Sequence, residues 1–219
     1  GLGNIIALVD LLREDFCFSS EQVLKIAEMD EIEFDQLICI LPPESPDVDL
    51  SAEIYNVDGS IAKNCINGAR CLAKFAVDEE LIAKKEFSVT TLGGLWNLKA
   101  YQNGEYSVKF LNPKNLDIKN NLPPETENRK HIISIEGNEI EIGVIDLGNP
   151  HAVSFKEIAD GMALNFIGNA LQNSDWFPEG VNFGLGKIIS SNEIDLRVYE
   201  RGAGETLACG SGACAAALI

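Results

Sequence analysis

Basic residues are scarce in this sequence. Its 219 residues include 17 lysines and arginines against 34 aspartates and glutamates, which gives a formal net charge of −17 at pH 7. Nucleic acids and anionic membrane surfaces attract proteins mainly through lysine and arginine side chains. The charge balance therefore excludes both as expected partners and leaves a small-molecule ligand as the better expectation.

Long apolar runs are also absent. No stretch of the sequence approaches the ~20 apolar residues that cross a bilayer. The chain does not open with a basic segment followed by an apolar run and a small-residue cleavage site, which is the pattern of a secretory leader. These absences predict a cytoplasmic protein with no membrane partner.

The cysteines lack the spacing of a metal site. Cys65 and Cys71 form one nearby pair, Cys209 and Cys214 form another, and neither has the C-x₂-C spacing of structural zinc sites. The sequence offers two histidines as further ligands. Disulfides are typical of small secreted domains, which the chain length and the missing leader argue against. We expect neither a metal nor structural disulfides.

Periodicity predicts alternating strands and helices. The β-rich or alternating runs lie at 5–10, 36–41, 50–55, 87–91, 95–100, 105–111, 131–144 and 152–155. Helices are expected after an N-cap at Ser19 and over 65–77. A polar, proline-containing stretch at 112–129 predicts an N-terminal half, 1–111, and a C-terminal half, 112–219. Because the chain starts without methionine and stops within an apparent helix, we expect a fragment that lacks the C-terminal part.

The two halves repeat each other. Leu2-Gly3-Asn4 matches Leu147-Gly148-Asn149, and the C-x-x-G-A segment Cys65–Ala69 matches Cys209–Ala213. The separation between the two motifs is nearly the same in both halves. The economical interpretation is two similar α+β halves, each with a cysteine at a helix N-terminus. A pseudo-two-fold axis would then bring the two cysteines face to face across a cleft.

Two facing cysteines predict a specific chemistry. A helix N-terminus presents unpaired N–H groups and positive potential, which bind a carboxylate and lower the pKa of a nearby thiol. If Cys65 and Cys209 flank the α-carbon of a bound amino acid, one thiolate can remove its proton and the opposite thiol can return another. This inversion requires no cofactor. The remaining cysteines are interpreted as small buried hydrophobic residues.

Four segments then resemble a known family. Asn56–Ser60, Asn64–Cys71, Gly148–Val153 and Tyr199–Ala213 are similar to the motifs of the diaminopimelate epimerase family, and the resemblance covers essentially the whole chain. It implies two pseudo-symmetric α+β domains, each a mixed or antiparallel sheet around a central helix, with the active site in the cleft between them. It also implies an isomerase that inverts LL-2,6-diaminopimelate to the meso form without pyridoxal phosphate, toward lysine and peptidoglycan.

The resemblance implies a role for each matched site residue. Cys65 and Cys209 would be the proton acceptor and donor, and His151 and Glu200 would tune the two thiols, since a histidine can titrate near physiological pH. The groups that grip the distal amino-acid centre would be Asn56, Asn182, Glu200 and Arg201. The groups at the reacting end would be Asn4, Gln36 and Asn149, with the backbone N–H groups of Ile66, Asn67, Gly210 and Ser211 on its carboxylate.

One departure from the family keeps other functions open. The family has glycine where this chain has Ile66, and a β-branched residue there is expected to keep a negative φ but to narrow the pocket. The alternatives are a proline or hydroxyproline racemase-like enzyme, which needs no distal grip, a non-catalytic amino-acid-binding relative, and a thiol redox protein. The oligomeric state stays open as well, with a homodimer as one option.

Overall fold

The chain forms two compact α+β units. A computed structural model describes residues 2–110, 122–126, 130–155 and 164–219. The units are Gly1–Leu111 and Asn112–Ile219. The described residues form two six-stranded mixed sheets with four helices, which confirms the predicted fold class. Within the same residues, no helix is long and apolar enough to span a membrane.

The first unit contains one sheet and two helices. Its elements in chain order are β1 (Ile6–Asp10), α1 (Ser20–Ala27), β2 (Gln36–Leu41), β3 (Leu50–Asn56), α2 (Ile66–Asp78), β4 (Glu86–Thr91), β5 (Gly94–Ala100) and β6 (Tyr106–Phe110). The strands lie side by side in that same order. Strand β1 runs parallel to β2, and β2 runs antiparallel to β3. All of these elements begin and end within two residues of their predicted positions; the predicted last residue of β6, 111, lies outside the described residues.

The second unit also contains six strands and two helices among its described residues. Its elements are β7 (His131–Ile135), β8 (Asn138–Asp146), β9 (Pro150–Ser154), α3 (Leu164–Gln172), β10 (Asn182–Ser190), β11 (Glu193–Glu200), β12 (Gly204–Thr206) and α4 (Gly210–Leu218). The sheet order is β12-β11-β10-β9-β8-β7. The sequence patterns assigned no element to α3, β10, β11 or β12. The predicted boundary stretch, 112–129, lies outside the described residues except for 122–126.

One predicted strand is in fact a hairpin. The alternating run 131–144 was expected to be continuous, but β7 and β8 pair antiparallel around a two-residue turn. Glu136 and Gly137 both adopt positive φ, at 47° and 82°. Positive φ at both central residues is the geometry of a type I′ turn, whose twist suits a tight antiparallel hairpin. The prediction of a single strand was therefore wrong.

Both units place a central cysteine-capped helix in the same way. In unit 1 a parallel pair (β1, β2) is followed by an antiparallel pair (β2, β3) and then α2. In unit 2 the parallel pair is β9 and β10, the antiparallel pair is β10 and β11, and α4 follows. Gly3 and Gly148, which match in the sequence repeat, have φ of 94° and 91°. The repeat is therefore a repeat of backbone geometry and of strand topology.

The core of unit 1 shows which face of its sheet carries the predicted site residues. In unit 1, α2 packs through Ala69, Leu72 and Ala73 against the face of the sheet that contains Ile38 and Ile54. Side chains alternate between faces along a strand. Gln36 at the start of β2 and Asn56 at the end of β3 therefore lie on this same face. The opposite face packs against α1 in a separate apolar cluster.

Candidate functional site

Cys65 caps the N-terminus of α2. Its backbone is extended, at φ −147° and ψ 96°, and the Gly68 N–H donates to its Sγ at 3.1 Å. The thiol thus takes the position that serine or aspartate occupies in ordinary helix caps. Ile66, the next residue, is the first residue of the helix and keeps a negative φ as predicted. The residue is only 7% exposed, so its β-branched side chain is largely removed from solvent next to the cysteine in the sequence.

Cys209 caps α4 with the same geometry. Its φ and ψ are −125° and 109°, and the Gly212 N–H donates to Sγ at 3.3 Å. The Ser211 hydroxyl lies 3.5 Å from the same sulfur. The prediction that each cysteine stands where a turn enters a helix is confirmed for both units.

The glycine three residues after each cysteine allows the helix to approach a strand closely. A Cβ added at Gly68 would lie 2.3 Å from Cδ1 of Ile38 on β2. A Cβ added at Gly212 would lie 3.1 Å from Cγ2 of Val198 on β11, and 3.3 Å from Sγ of Cys209. The C-x-x-G motif therefore combines two requirements, a sulfur as the helix cap and a residue without a side chain where strand and helix meet.

The pKa of the Cys209 thiol differs from the sequence-based expectation. A helix N-terminus was expected to lower it, but burial and the nearby charge of Glu200 raise it from 9.0 to about 12. The hydrogen bonds from Ser211 and from the Gly212 N–H act in the opposite direction and only partly offset these effects. Removing the thiol from water disfavours its anion more than the end of the helix favours it. At neutral pH Cys209 is a protonated thiol.

His151 is also not the titrating group that its sequence position suggested. The side chain is 1% exposed, and burial lowers its pKa from 6.5 to about 4. The imidazole is therefore neutral at physiological pH. Its Nε2 lies 3.2 Å from Oδ1 of Asn149, so the histidine contacts another residue that the resemblance placed in the site.

Four of the predicted site residues of unit 1 form two hydrogen-bonded pairs. Asn67, the second residue of α2, donates from Nδ2 to Oδ1 of Asn4 at 2.8 Å. Gln36 donates from Nε2 to Oδ1 of Asn56 at 2.9 Å, and Asn56 donates from Nδ2 to the Ser60 hydroxyl at 3.0 Å. The structure thus joins residues that are far apart in the sequence. Gln36 and Asn56, which the resemblance assigned to opposite ends of the substrate, are direct neighbours.

Three of the predicted site residues of unit 2, Asn182, Glu200 and Arg201, lie at the ends of β10 and β11. Oδ1 of Asn182 accepts from the Arg201 N–H at 2.8 Å. The Arg201 guanidinium donates from Nη1 to the carbonyl oxygen of Glu179 at 2.7 Å, and the arginine is exposed. Oε1 of Glu200 accepts from the Thr206 hydroxyl at 2.6 Å. Asn182 thus fixes the backbone at Arg201, while Thr206 holds the carboxylate of Glu200.

The turn before Cys65 is held by residues that sequence reasoning missed. The buried Trp96 donates from Nε1 to Oδ1 of Asn64 at 2.6 Å. A Cβ at Gly93 would lie 2.3 Å from the carbonyl oxygen of Lys63, so this turn packs directly on the β4–β5 hairpin. Asn64 belongs to the matched motif, but nothing in the sequence indicates its tryptophan partner. The contact depends on strand pairing that only the fold supplies.

Thiols are the reactive groups that the fold offers. All six cysteines lie within the described residues, and none of them forms a disulfide bond. Among those residues, no group of three or more histidine, cysteine, aspartate or glutamate side chains is arranged to hold a metal ion.

Comparisons with known proteins point to one family. A sequence model for the family described as "Diaminopimelate epimerase" matches residues 1–113 and 143–219. A protein named diaminopimelate epimerase from Stutzerimonas stutzeri (strain A1501) is 35% identical over 219 residues, which is the whole of this chain and 79% of the relative.

Solved structures with low sequence identity share the fold. A hydroxyproline epimerase from Agrobacterium vitis, with bound trans-4-hydroxy-L-proline, matches with a TM-score of 0.61 at 14% identity, over 94% of this chain and 65% of that one. A phenazine biosynthesis protein of the PhzF family from Bacillus anthracis matches with a TM-score of 0.61 at 15% identity, over 99% and 74%. At this level of identity the likeness concerns the fold alone.

Proposed function

The chain belongs to the diaminopimelate epimerase family and is an isomerase of the amino-acid epimerase class, and on this premise we propose that it interconverts LL-2,6-diaminopimelate and meso-2,6-diaminopimelate. The reaction inverts one α-carbon and needs no net change in composition. Its product would serve lysine and peptidoglycan precursor synthesis in the cytoplasm.

The observation that carries the proposal is the pair of equivalent cysteine caps. Cys65 and Cys209 follow the same parallel and antiparallel strand pairs, and each sulfur accepts the N–H of the glycine three residues later. A structural cysteine needs no such duplication. Two equivalent thiols suit a reaction in which a proton is removed from one face of a carbon and another proton is delivered to the opposite face.

The proposed proton transfers balance between the two thiols. A thiolate at Cys65 takes the α-proton and becomes a thiol, and the electron pair stays on the carbanion. The thiol of Cys209 then gives its proton to the opposite face of that carbon and becomes the thiolate. The reverse reaction exchanges the two roles. The N–H groups at the starts of α2 and α4, from Ile66, Asn67, Gly210 and Ser211, would bind the adjacent carboxylate.

The counterpart residues Asn56 and Glu200 differ in charge between the two units, and this difference supports the assignment of roles. The pKa of Cys209 is about 12, and Glu200 is one cause of that value. Glu200 is the last residue of β11. The equivalent residue of unit 1 is Asn56, the last residue of β3, whose side chain is uncharged. Burial and, in addition, this carboxylate favour the protonated form of Cys209 and so prepare it as the donor. We therefore propose that the enzyme without substrate accepts the isomer whose α-hydrogen faces Cys65.

The distal end of diaminopimelate would be bound mainly by unit 2. Arg201 offers a planar guanidinium that can pair with a carboxylate through two parallel hydrogen bonds, and Glu200 can accept from an ammonium. Asn182, which holds the Arg201 backbone, and Asn56 would complete this grip. A substrate such as proline has no second amino-acid centre and would leave these groups unused.

The test is stereoinversion in deuterated water. Purified protein is incubated with LL-diaminopimelate, the loss of α-protons is followed by NMR, and the isomers are separated by chiral chromatography. We expect meso product, and on the order of 10³-fold slower inversion for Cys65→Ala and Cys209→Ala. Cys71→Ala and Cys214→Ala, on the same two helices, are the matched controls and should keep wild-type rates.

Three results would replace the proposal. Inversion of L-proline or trans-4-hydroxy-L-proline in place of diaminopimelate would favour the racemase-like alternative. Calorimetric binding of diaminopimelate without inversion by the wild type would favour a non-catalytic relative. Near-wild-type inversion by Cys65→Ser or Cys209→Ser would refute the two-thiol mechanism, because a hydroxyl has a much higher pKa than a thiol.

A further inference from the structure

Thr206 contacts Glu200, the carboxylate that raises the pKa of the proposed proton donor, Cys209. Its hydroxyl donates to Oε1 of Glu200 at 2.6 Å, which is a short, charge-assisted hydrogen bond. We propose that Thr206 is a positioning residue that holds the Glu200 carboxylate against the Cys209 thiol and thereby makes that thiol harder to deprotonate. The catalytic consequence of this inference rests on the proposed function, whereas the protonation of Cys209 can be measured without it.

The strand register places the side chains of Thr206, Val198 and Glu200 on one face of the sheet. Thr206 pairs directly with Val198, so the two side chains lie on the same side of the sheet. Glu200 follows Val198 by two residues along β11 and shares that side. Val198 is the residue that contacts α4 at Gly212, next to the sulfur of Cys209. The hairpin of β11 and β12 therefore carries both the carboxylate and its hydroxyl partner to the N-terminus of α4.

The backbone around this pair is anchored separately. On the other face of the hairpin, Arg197 donates from Nε and Nη2 to the two carboxylate oxygens of Glu205, at 2.7 and 2.8 Å. Gln172 on α3 donates from Nε2 to the carbonyl oxygen of Glu200 at 3.1 Å. These contacts hold β11 and β12 in register. The contact with Thr206 instead acts on the side chain of Glu200, so removing it should free the carboxylate and leave the strands in place.

The first unit supplies an internal comparison. There the bridge between Tyr55 and Ile61 corresponds to the pair of Tyr199 and Glu205. The next residue, the counterpart of Thr206, is Ala62, and the counterpart of Glu200 is Asn56. Unit 2 has both the carboxylate and the hydroxyl, and unit 1 has neither at these positions. The hydroxyl and the carboxylate are therefore both present in unit 2 and both replaced at the equivalent positions of unit 1. This is expected if the function of the Thr206 hydroxyl is to position the Glu200 carboxylate.

Few charged groups compete with Glu200 near Cys209. Of the titratable side chains on the strands packed against α4, Tyr199 on β11 contacts α3 at Gly168, and His151 on β9 is neutral at physiological pH. Those of Lys187, Glu193, Asp195 and Arg197 lie on exposed positions of β10 and β11. Burial and Glu200 raise the pKa of Cys209. Without the Thr206 hydroxyl, the half-buried carboxylate would turn toward water, and the pKa of the thiol would fall.

Thiol alkylation tests the inference in the protein without substrate. Iodoacetamide reacts with the thiolate. At a pH below the thiol pKa, the thiolate fraction rises tenfold for each unit by which that pKa falls, and the lower nucleophilicity of a less basic thiolate offsets part of this gain. The modified peptide containing Cys209 is quantified by mass spectrometry at pH 8, with the Cys65 peptide of the same digest as the control. We expect Thr206→Val to react roughly 3- to 10-fold faster at Cys209. Thr206→Ser, which keeps the hydroxyl, should stay within about twofold of wild type.

A double-mutant cycle separates positioning from packing. If Thr206 acts through Glu200, then Thr206→Val should add nothing to the faster alkylation of Glu200→Gln. An unchanged rate in Thr206→Val, or the same acceleration by Thr206→Val in both backgrounds, would overturn the inference. Turnover of LL-diaminopimelate is measured separately. Failure of wild-type turnover would refute the proposed function while leaving the alkylation result, and therefore the role of Thr206, standing.

Discussion

Burial of His151 predicts an acid-sensitive step in the stability of this protein. The side chain is 1% exposed, and its pKa falls from 6.5 to about 4 because the imidazolium would lose its hydration. An unfolded chain exposes the same side chain, with a pKa near ~6.5. Between the two values, the unfolded state binds a proton that the folded state does not. The stabilising contribution is complete above the unfolded pKa and is lost as the pH falls.

The size of the effect follows from the two pKa values. The full difference corresponds to about 3 kcal/mol of unfolding free energy, of which about 2 kcal/mol would be lost between pH 7 and pH 5. Other groups also titrate over this range, so the comparison must be made with a variant. His151→Gln cannot take up this proton, and its stability should fall by about 2 kcal/mol less over the same interval.

Two measurements check the prediction. Urea unfolding at pH 5, 6 and 7 gives the pH dependence of stability for wild type and His151→Gln. The variant His131→Gln leaves His151 as the single histidine, so its imidazole proton signals can be titrated directly by NMR. A midpoint near pH 4 is expected. A midpoint near 6.5, or equal pH dependence in wild type and His151→Gln, would refute the reasoning from burial.

Four further substitutions test the helix packing, the distal grip and the crowding at Ile66. Gly68→Ala should lower the unfolding free energy by about 1–3 kcal/mol in urea, because its Cβ would lie 2.3 Å from Ile38, and Gly212→Ala, with a nearest contact of 3.1 Å, should cost less; the opposite order would contradict this. Arg201→Lys should reduce kcat/KM for diaminopimelate on the order of 10²-fold, with unfolding unchanged, because an ammonium cannot form a paired contact with a carboxylate. Ile66→Gly should raise kcat/KM while lowering stability by about 1–3 kcal/mol, since the side chain is 7% exposed; slower turnover would refute crowding by the isoleucine.

The positions of the cysteines could be predicted from sequence because the signal is local. An N-cap and the glycine three residues later are fixed by neighbouring residues, and the repeat presents that pattern twice. The N-cap of α1 at Ser19 was predictable on the same grounds, and it forms a full capping box with Gln22. The family motifs supplied the remaining residues of the site, although not their contacts.

The protonation of those residues could not be predicted in this way. Cys209 and His151 owe their shifted pKa values to burial, which depends on strands distant in the sequence. The hairpin at Glu136 and Gly137 was missed because its two-residue turn interrupts the alternation of apolar residues only briefly. Sequence patterns therefore located the chemical groups, whereas their electrostatic state required the fold.

The cysteine caps also tie catalysis to the integrity of the two helices. A thiolate accepts the N–H of Gly68 or Gly212 more strongly than a thiol does, because the acceptor is charged. In the proposed cycle, the end of one helix gains a stronger cap as the other loses it. Because the two helix ends have the same geometry, the free energy gained at one cap would largely offset the free energy lost at the other. In the proposed mechanism, the difference between Asn56 and Glu200 would not cancel, so a reaction that is nearly symmetric in its chemistry would have a preferred resting direction.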